Sequence, residues 1–166
     1  CKSKLTQFHI AYDTPLEHAV VSGRLISFNT PEIKTNCRVR FERNNTKRSK
    51  VKRIHLSKLS FSADSLTDVN FSALRLKGIY MSSPNYTEKK INFASGKISK
   101  TTAAWTIELS DSDQDLIDFI KQDRFSMRFD FENAAGFSET VNLLVNIDLF
   151  VEGELIKTNL YHKILV

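Results

Sequence analysis

Four histidines, His9, His18, His55 and His162, and an acidic run, Asp111, Asp113, Asp115 and Asp118, are the side chains whose types allow acid–base or metal chemistry. Imidazoles and carboxylates hold a metal when several converge at the short spacings of a helix turn or a hairpin. These histidines are scattered, and none stands at such a spacing from another His, Cys or acid. The acidic run lacks the glycine and terminal glutamate of a calcium-binding loop, and helix capping accounts for carboxylates placed there. There is no nucleophile elbow or phosphate-cradling glycine-rich loop, and the chain holds only 5 glycines. This pattern points to a protein that is not an enzyme and needs no cofactor or metal. His9 and His55 fall on outward positions of their expected strands, so both are read as solvated.

Charge and thiols offer other chemistry. The formal net charge of +5 is unevenly spread, with Lys34, Arg38, Arg40, Arg43, Lys47, Arg48, Lys50, Lys52, Arg53 and Lys58 set against one acid, Glu42. Such a segment can meet the phosphates of nucleic acid, lipid or lipopolysaccharide. No nucleic-acid motif accompanies it, and apolar residues alternate between the cations. It is therefore read as a basic hairpin with solvated outward charges that discourage edge pairing, and nucleic acid is not an expected partner. Cys37 alternates with Val39 and Phe41 and reads as a small core residue on a strand. Cys1 is different, because bacterial lipoproteins are cut just before a Cys that then carries the acyl chains. Cys1 is the expected lipidation site. Asp64-Ser65-Leu66 matches a three-residue O-glycosylation pattern of bacterial envelope proteins, which makes Ser65 a candidate acceptor.

The elements that position these residues are strands. At 166 residues, 41% hydrophobic and 26% charged, the chain suits one soluble domain, and no apolar run approaches the roughly 20 residues of a membrane-spanning helix. Phe125, Met127, Phe129 and Phe131 alternate with polar residues, as do Val141, Leu143, Val145, Ile147, Leu149 and Val151. Period two is strand period. With Asn133-Ala134-Ala135-Gly136 between them, the two runs read as one long hairpin from Arg124 to Glu152. Further strands are expected at Phe8 to Tyr12, at Ala19 to Phe28 with a bulge, at Cys37 to Phe41, at Ile91 to Phe93 and at Ala103 to Leu109. In Val51 to Phe61, Ile54 and Leu56 fall on even positions but Leu59 and Phe61 on odd ones, so a bulge is expected near Ser57 or Lys58. A similar change of phase in Phe71 to Met81 falls at Gly78. One short helix is expected from a Ser112 cap through Leu116, Phe119 and Ile120. The fold class that follows is all-β, an antiparallel Ig-like sandwich of about 7–9 strands with one short helix before the final hairpin. The domain covers 8–152, with a lipid-anchored tether at 1–7 and a tail at 153–166.

Thr30-Pro31-Glu32-Ile33, Thr35-Asn36, Asn44-Asn45-Thr46 and Ile54-x-Leu56-x-x-Leu59 resemble a family of small Bacteroidetes outer-membrane lipoproteins. Phe71 and Leu74 before Ile79-Tyr80-Met81-Ser82, and Asp118-Phe119-Ile120-Lys121 with Asp123, Phe125 and Arg128, agree with it. The resemblance spans about residues 8–151 and implies a lipid-anchored β-sandwich of the outer membrane with no assigned activity. Membrane contact would be through the lipid anchor only. Lys2-Ser3-Lys4-Leu5 lacks the acidic residues linked to surface export in such proteins, so the periplasmic face is expected. The function that follows is an accessory subunit docking on an envelope assembly for transport, secretion or barrel insertion, through the tail or the basic hairpin. In the tail, Leu160, Tyr161, Ile164 and Val166 are the candidate partner-binding residues, on a strand that either closes the sandwich or docks in trans. The alternative is a glycan- or ligand-binding module. That would call for exposed aromatics, whereas Trp105 lies in phase with core residues.

Overall fold

The computed structural model describes residues 4–64, 69–109, 115–134 and 141–156, with only the main chain of residues 19–22. In chain order the elements are β1 (Leu5–Pro15), β2 (Glu17–Ser22), β3 (Leu25–Asn29), β4 (Ile33–Lys34), helix α1 (Cys37–Arg43), β5 (Val51–Ala63), β6 (Leu74–Ser83), β7 (Tyr86–Lys90), β8 (Lys97–Lys100), β9 (Ala104–Glu108), helix α2 (Ile117–Ile120), β10 (Arg124–Asn133) and β11 (Leu143–Glu154). Short 3-10 turns at Arg48–Lys50 and Phe71–Ala73 lead into β5 and β6. The strands form two antiparallel sheets, β1-β11-β5-β9-β8 and β2-β3-β10-β6-β7, with β4 also on β10. This is the expected all-β sandwich, but it has eleven strands among the described residues and not 7–9, and its topology is not Ig-like. Its strand order is that of a jelly roll: β1 lies beside β11, β3 beside β10, β5 beside β9 and β6 beside β7. The first half of the chain thus pairs with the second half in reverse, as in an antiparallel ribbon rolled on itself.

The strict alternation of β10 and β11 is realised, since Phe125, Met127, Phe129 and Phe131 are buried, as are Leu143, Val145, Ile147, Leu149 and Val151. The expected hairpin between them is not formed. β10 pairs with β3, β4 and β6, whereas β11 pairs with β1 and β5, so the two strands face each other across the core. Period two specifies which face of a strand is buried, and two strands in opposite layers satisfy it as well as two neighbours do. At the centre Phe61 of β5 meets Trp105 at 5.7 Å and Phe129 and Phe131 at 5.0 Å, all edge to face. The indole Nε1–H of Trp105 donates to the Leu74 carbonyl at 3.3 Å, which satisfies its one polar atom.

Both phase changes mark bulges. Lys58 pairs with Asp148 and Leu56 with Leu149, which leaves Ser57 as the extra residue of β5. Gly78 pairs with Asp130 and Leu76 with Phe131, which leaves Lys77 as the extra residue of β6. A Cβ on Gly78 would lie 2.6 Å from the ring of Tyr80, so the glycine makes room for that ring to fold back over the strand.

Other sequence expectations are corrected. Cys37 to Phe41 forms a helix, because Cys37 and Phe41 are one turn apart and both buried while Val39 is 48% exposed. A strand would have put all three on one face. Ala19 to Phe28 is a hairpin, β2 and β3 turning at Gly23-Arg24, and not a single bulged strand. Ile91 and Phe93 lie in a connection, and the strands beside them are β7 and β8, whose residues are mostly exposed. α2 is shorter than expected, and residues 112 and 113 lie outside the described residues. Leu116 is its N-cap residue, and the residue before it, Asp115, accepts through Oδ1 from the Ile117 N–H at 3.0 Å and also from the Ile54 N–H at 3.2 Å. With the Leu116 N–H donating to the Ile54 carbonyl at 2.8 Å, this segment covers the part of β5 that β9 does not reach. Among the described residues no helix is long and apolar enough to cross a membrane.

Candidate functional site

The five-stranded sheet turns its inner face to the core, and among the described residues no element covers its outer face along β1 and β11, where exposed and half-buried residues alternate with buried ones. Register aligns this outer face in rows: Asp13 with Asn146, Ala11 with Asp148 and Lys58, His9 with Phe150 and His55, and Gln7 with Glu152 and Arg53. The polar members are tied across strands. His9 Nδ1 lies 2.6 Å from Asp148 Oδ1, Asn146 Nδ2 donates to Asp13 at 2.8 Å, and Gln7 Nε2 donates to Glu152 at 2.7 Å. Such cross-strand ties fix rotamers that would otherwise be free.

At the middle lies Phe150. Its ring centroid is 5.6 Å from that of His9 and 4.8 Å from that of His55, and the Arg53 guanidinium lies 5.8 Å away. His55 is therefore only 6% exposed, against the expectation that it is solvated. It does occupy an outward position, but the aromatic neighbour across the register shields it. Beside this centre a groove of about 550 Å³ runs toward β9 and β8, lined by His9, Asp148, Ser57, Lys58, Lys97 and Glu108 among others. Lys58 and Glu108 approach to 3.9 Å across it. The arrangement offers donors and acceptors of both charges next to the His9–Phe150–His55 cluster, which suits recognition of a polar surface. His9 with Asp148 has the look of a base and its orienter, yet among the described residues no hydroxyl or thiol is hydrogen-bonded to His9. Nor do three or more His, Cys, Asp or Glu residues converge to hold a metal among the described residues.

The basic segment is not a hairpin. It comprises α1, the 3-10 turn and the first half of β5, and several of its cations are engaged. Arg40 lies 4.6 Å over the Tyr12 ring and donates to the Ala11 carbonyl, Arg38 pairs with Glu42, and Lys50 and Lys52 reach Glu154 at 3.5 and 2.9 Å. The hydrogen bond from Lys52, more than any other influence, holds the Glu154 carboxyl below its usual range. Tyr12, whose hydroxyl donates to the Thr35 carbonyl at 2.7 Å, is pushed up to about 12 by burial. Cys37 is a buried free thiol. Cys1, Ser65, Leu160, Tyr161, Ile164 and Val166 lie outside the described residues. The outer-face cluster was not legible as a unit in the sequence because its members come from both ends of the chain, and only Leu144 and Phe150, apolar residues at polar positions of β11, gave a local signal.

No family model and no curated protein matches the sequence. Among solved structures, that of Mud crab tombus-like virus is similar over 99% of this chain and 87% of that chain, at 7% identity and a TM-score of 0.37. The decameric BFDV capsid protein is similar over 92% of this chain and 100% of its own, at 10% identity and 0.38. A KRT10-binding region domain of the pneumococcal serine-rich repeat protein PsrP is similar over 80% of each chain, at 11% identity and 0.33. The jelly-roll assignment rests on strand order and not on these likenesses.

Proposed function

We propose that this chain is a non-catalytic accessory lipoprotein of the outer membrane, held on its periplasmic face by acyl chains on Cys1 and docked on a larger envelope assembly through the outer face of the five-stranded sheet. The observation that carries the docking is the anatomy of that face. Phe150 with Arg53, His9 and His55 makes an aromatic and guanidinium centre, and paired polar side chains surround it. Protein interfaces have this composition: a few aromatic and Arg anchors near the middle and a polar rim. Leu144, 43% exposed on the same face beside Pro15, extends the apolar area toward the other end of β11. The anchor is supported by the resemblance to outer-membrane lipoproteins.

Purification from native membranes in mild detergent tests the docking. Phe150→Ser and Leu144→Ser should lose the co-purifying partner while melting close to wild type, and variants that retain it refute the assignment of this face. Cys1→Ser should make the protein extractable from membranes by high salt without detergent, since each acyl CH₂ buried in lipid contributes about 0.8 kcal/mol and only salt-sensitive contacts remain without the chains. A native N-terminus found unmodified by mass spectrometry would overturn the anchor.

A second reading, a glycan- or ligand-binding module, is favoured by the groove of about 550 Å³, where Lys58, Lys97, Glu108 and Asp148 offer hydrogen-bonding groups of both kinds beside the His9 imidazole. Calorimetric titration with soluble glycans separates the two readings: saturable binding abolished by Lys97→Ala with Glu108→Ala, which line the groove, selects the second.

A further inference from the structure

We infer that the end of the sandwich where β1 begins and β11 finishes is a docking surface for an anionic lipid bilayer. It adds a second membrane contact to the acyl anchor proposed above and does not require that anchor.

The geometry brings three separate pieces of chain together there. Leu5 pairs with Glu154, and the Leu155 N–H donates to the Lys4 carbonyl at 2.9 Å. The loop after α1 folds across the same end: the Ile156 N–H donates to the Asn45 carbonyl at 2.8 Å and Thr46 Oγ1 to the Glu154 carbonyl at 2.7 Å. Asn45 takes a left-handed φ of 58°, which turns the loop over the strand ends. As a result Lys4, Arg43, Lys47, Arg48, Lys50 and Lys52, all exposed, gather around one end of the molecule. Two large apolar side chains protrude among them, Leu5 at 51% and Leu155 at 39% exposure.

Charge decides the kind of partner. Of the nearby acids, Glu154 is engaged by Lys50 and Lys52, Glu152 by Gln7 and Glu42 by Arg38. Lys4, Arg43, Lys47 and Arg48 have no carboxylate partner among the described residues. Exposed leucines ringed by unpaired cations match a bilayer surface, where apolar side chains enter the headgroup boundary and cations meet lipid phosphates. A phosphate-only partner such as nucleic acid would leave the leucines without a role.

The test uses the full chain with Cys1→Ser, which cannot be acylated, in flotation with vesicles of phosphatidylcholine alone or of equal parts phosphatidylcholine and phosphatidylglycerol. Binding is expected to the anionic vesicles only, and to weaken as salt is raised. Each cation near an anionic surface contributes roughly a fivefold factor, so the triple variant R43Q, K47Q, R48Q should bind on the order of 100-fold more weakly. Leu5→Ser should weaken binding without changing its salt dependence. Arg75, Lys77 and Lys100 line a groove of about 380 Å³ near the opposite end, and R75Q, K77Q, K100Q should bind as wild type. Equal binding to both vesicles, no binding, or equal losses from the two triple variants overturns the inference. So does tighter binding of a duplex oligonucleotide through the same three cations, which selects nucleic acid instead. The lipid and salt dependence of the protein with only Cys1→Ser decides the matter even if a triple variant fails to fold. An unmodified Cys1 in the native protein would sink the acyl anchor and leave this result standing.

Discussion

Deleting Ser57 and deleting Ser60, three residues along the same strand, should have unequal consequences. Ser57 is the unpaired residue of β5, between Lys58 opposite Asp148 and Leu56 opposite Leu149. Without it those two pairs become consecutive, and the strand is regular. Leu56 and Ile54 stay inward and Lys58 stays outward. What is lost is the hydrogen bond from the Leu109 N–H to the Ser57 carbonyl at 2.8 Å, a cost of about 1 kcal/mol. Ser60 has no such slack. Its deletion either carries Phe61 outward to face Asn146, or lets the bulge close and so carries Leu59 outward and Lys58 into the core. Phe61 is 1% exposed and touches three aromatic rings, and emptying such a site costs about 3–5 kcal/mol. Exposing Leu59 costs about 1.5–3 kcal/mol, with several more for burying an ammonium. Either route exceeds about 3 kcal/mol, a large part of the roughly 5–15 kcal/mol that holds a domain folded. Urea unfolding followed by Trp105 fluorescence measures the difference. With a slope of about 2 kcal/mol/M, the first deletion shifts the midpoint by about 0.5 M and the second by about 1.5 M or more. Equal shifts would falsify the assignment of Ser57 as the bulge.

Two further outcomes can be stated. Tyr12 is raised from 10.0 to about 12, so the folded chain holds the phenolic proton more tightly than the unfolded chain. Its contribution is complete below pH 10 and is lost as pH rises from 10 toward 12, with a slope approaching about 1.4 kcal/mol per pH unit. Tyr12→Phe should cost about 1 kcal/mol at neutral pH, from the lost bond to Thr35, and should flatten that alkaline decline in denaturation measured across the range. Phe61→Ala should cost about 3–5 kcal/mol, whereas Phe150→Ala, on the outer face, should cost only about 0.5–1.5 kcal/mol from its aromatic contacts. Thermal melts that rank the two the other way would contradict the orientation of the five-stranded sheet.

Face and phase were legible in the sequence because each is a local property of a strand. The alternation in β1, β5, β9, β10 and β11, and the broken phase at Ser57 and near Gly78, each needs only a handful of consecutive residues to be read. Pairing is not local. In this wrapping β1 finds β11 across nearly the whole chain, so no spacing near Phe131 or Val141 could reveal that β10 and β11 belong to different sheets. Cys37, Val39 and Phe41 misled for a related reason, since apolar residues at both two and four positions apart fit a strand and a helix turn alike. β7 and β8 escaped because nearly all their side chains are exposed and no apolar period remains. The outer-face site shares the limit of pairing. His9 meets Asp148, Gln7 meets Glu152 and Asp13 meets Asn146 only once the first and last strands lie side by side.

Strand order also bears on why the basic segment exists. Lysines and arginines on a free edge discourage pairing with another chain, and the exposed lysines of β7 and β8, at the outer edges of their sheets, fit that purpose. β5 is different. It is the middle strand of its sheet, with β11 on one side and β9 and the Asp115-Leu116 segment on the other, so it has no edge to protect. Nor is solubility a sufficient reason, because solvation does not require Arg43, Lys47 and Arg48 to be held beside Lys4 by hydrogen bonds from Thr46 and Ile156. Hydrogen bonds from Thr46 Oγ1 and the Ile156 N–H tie the loop after α1 to the end of β11 beside Leu5 and Leu155, which is where the bilayer contact inferred above would use its cations.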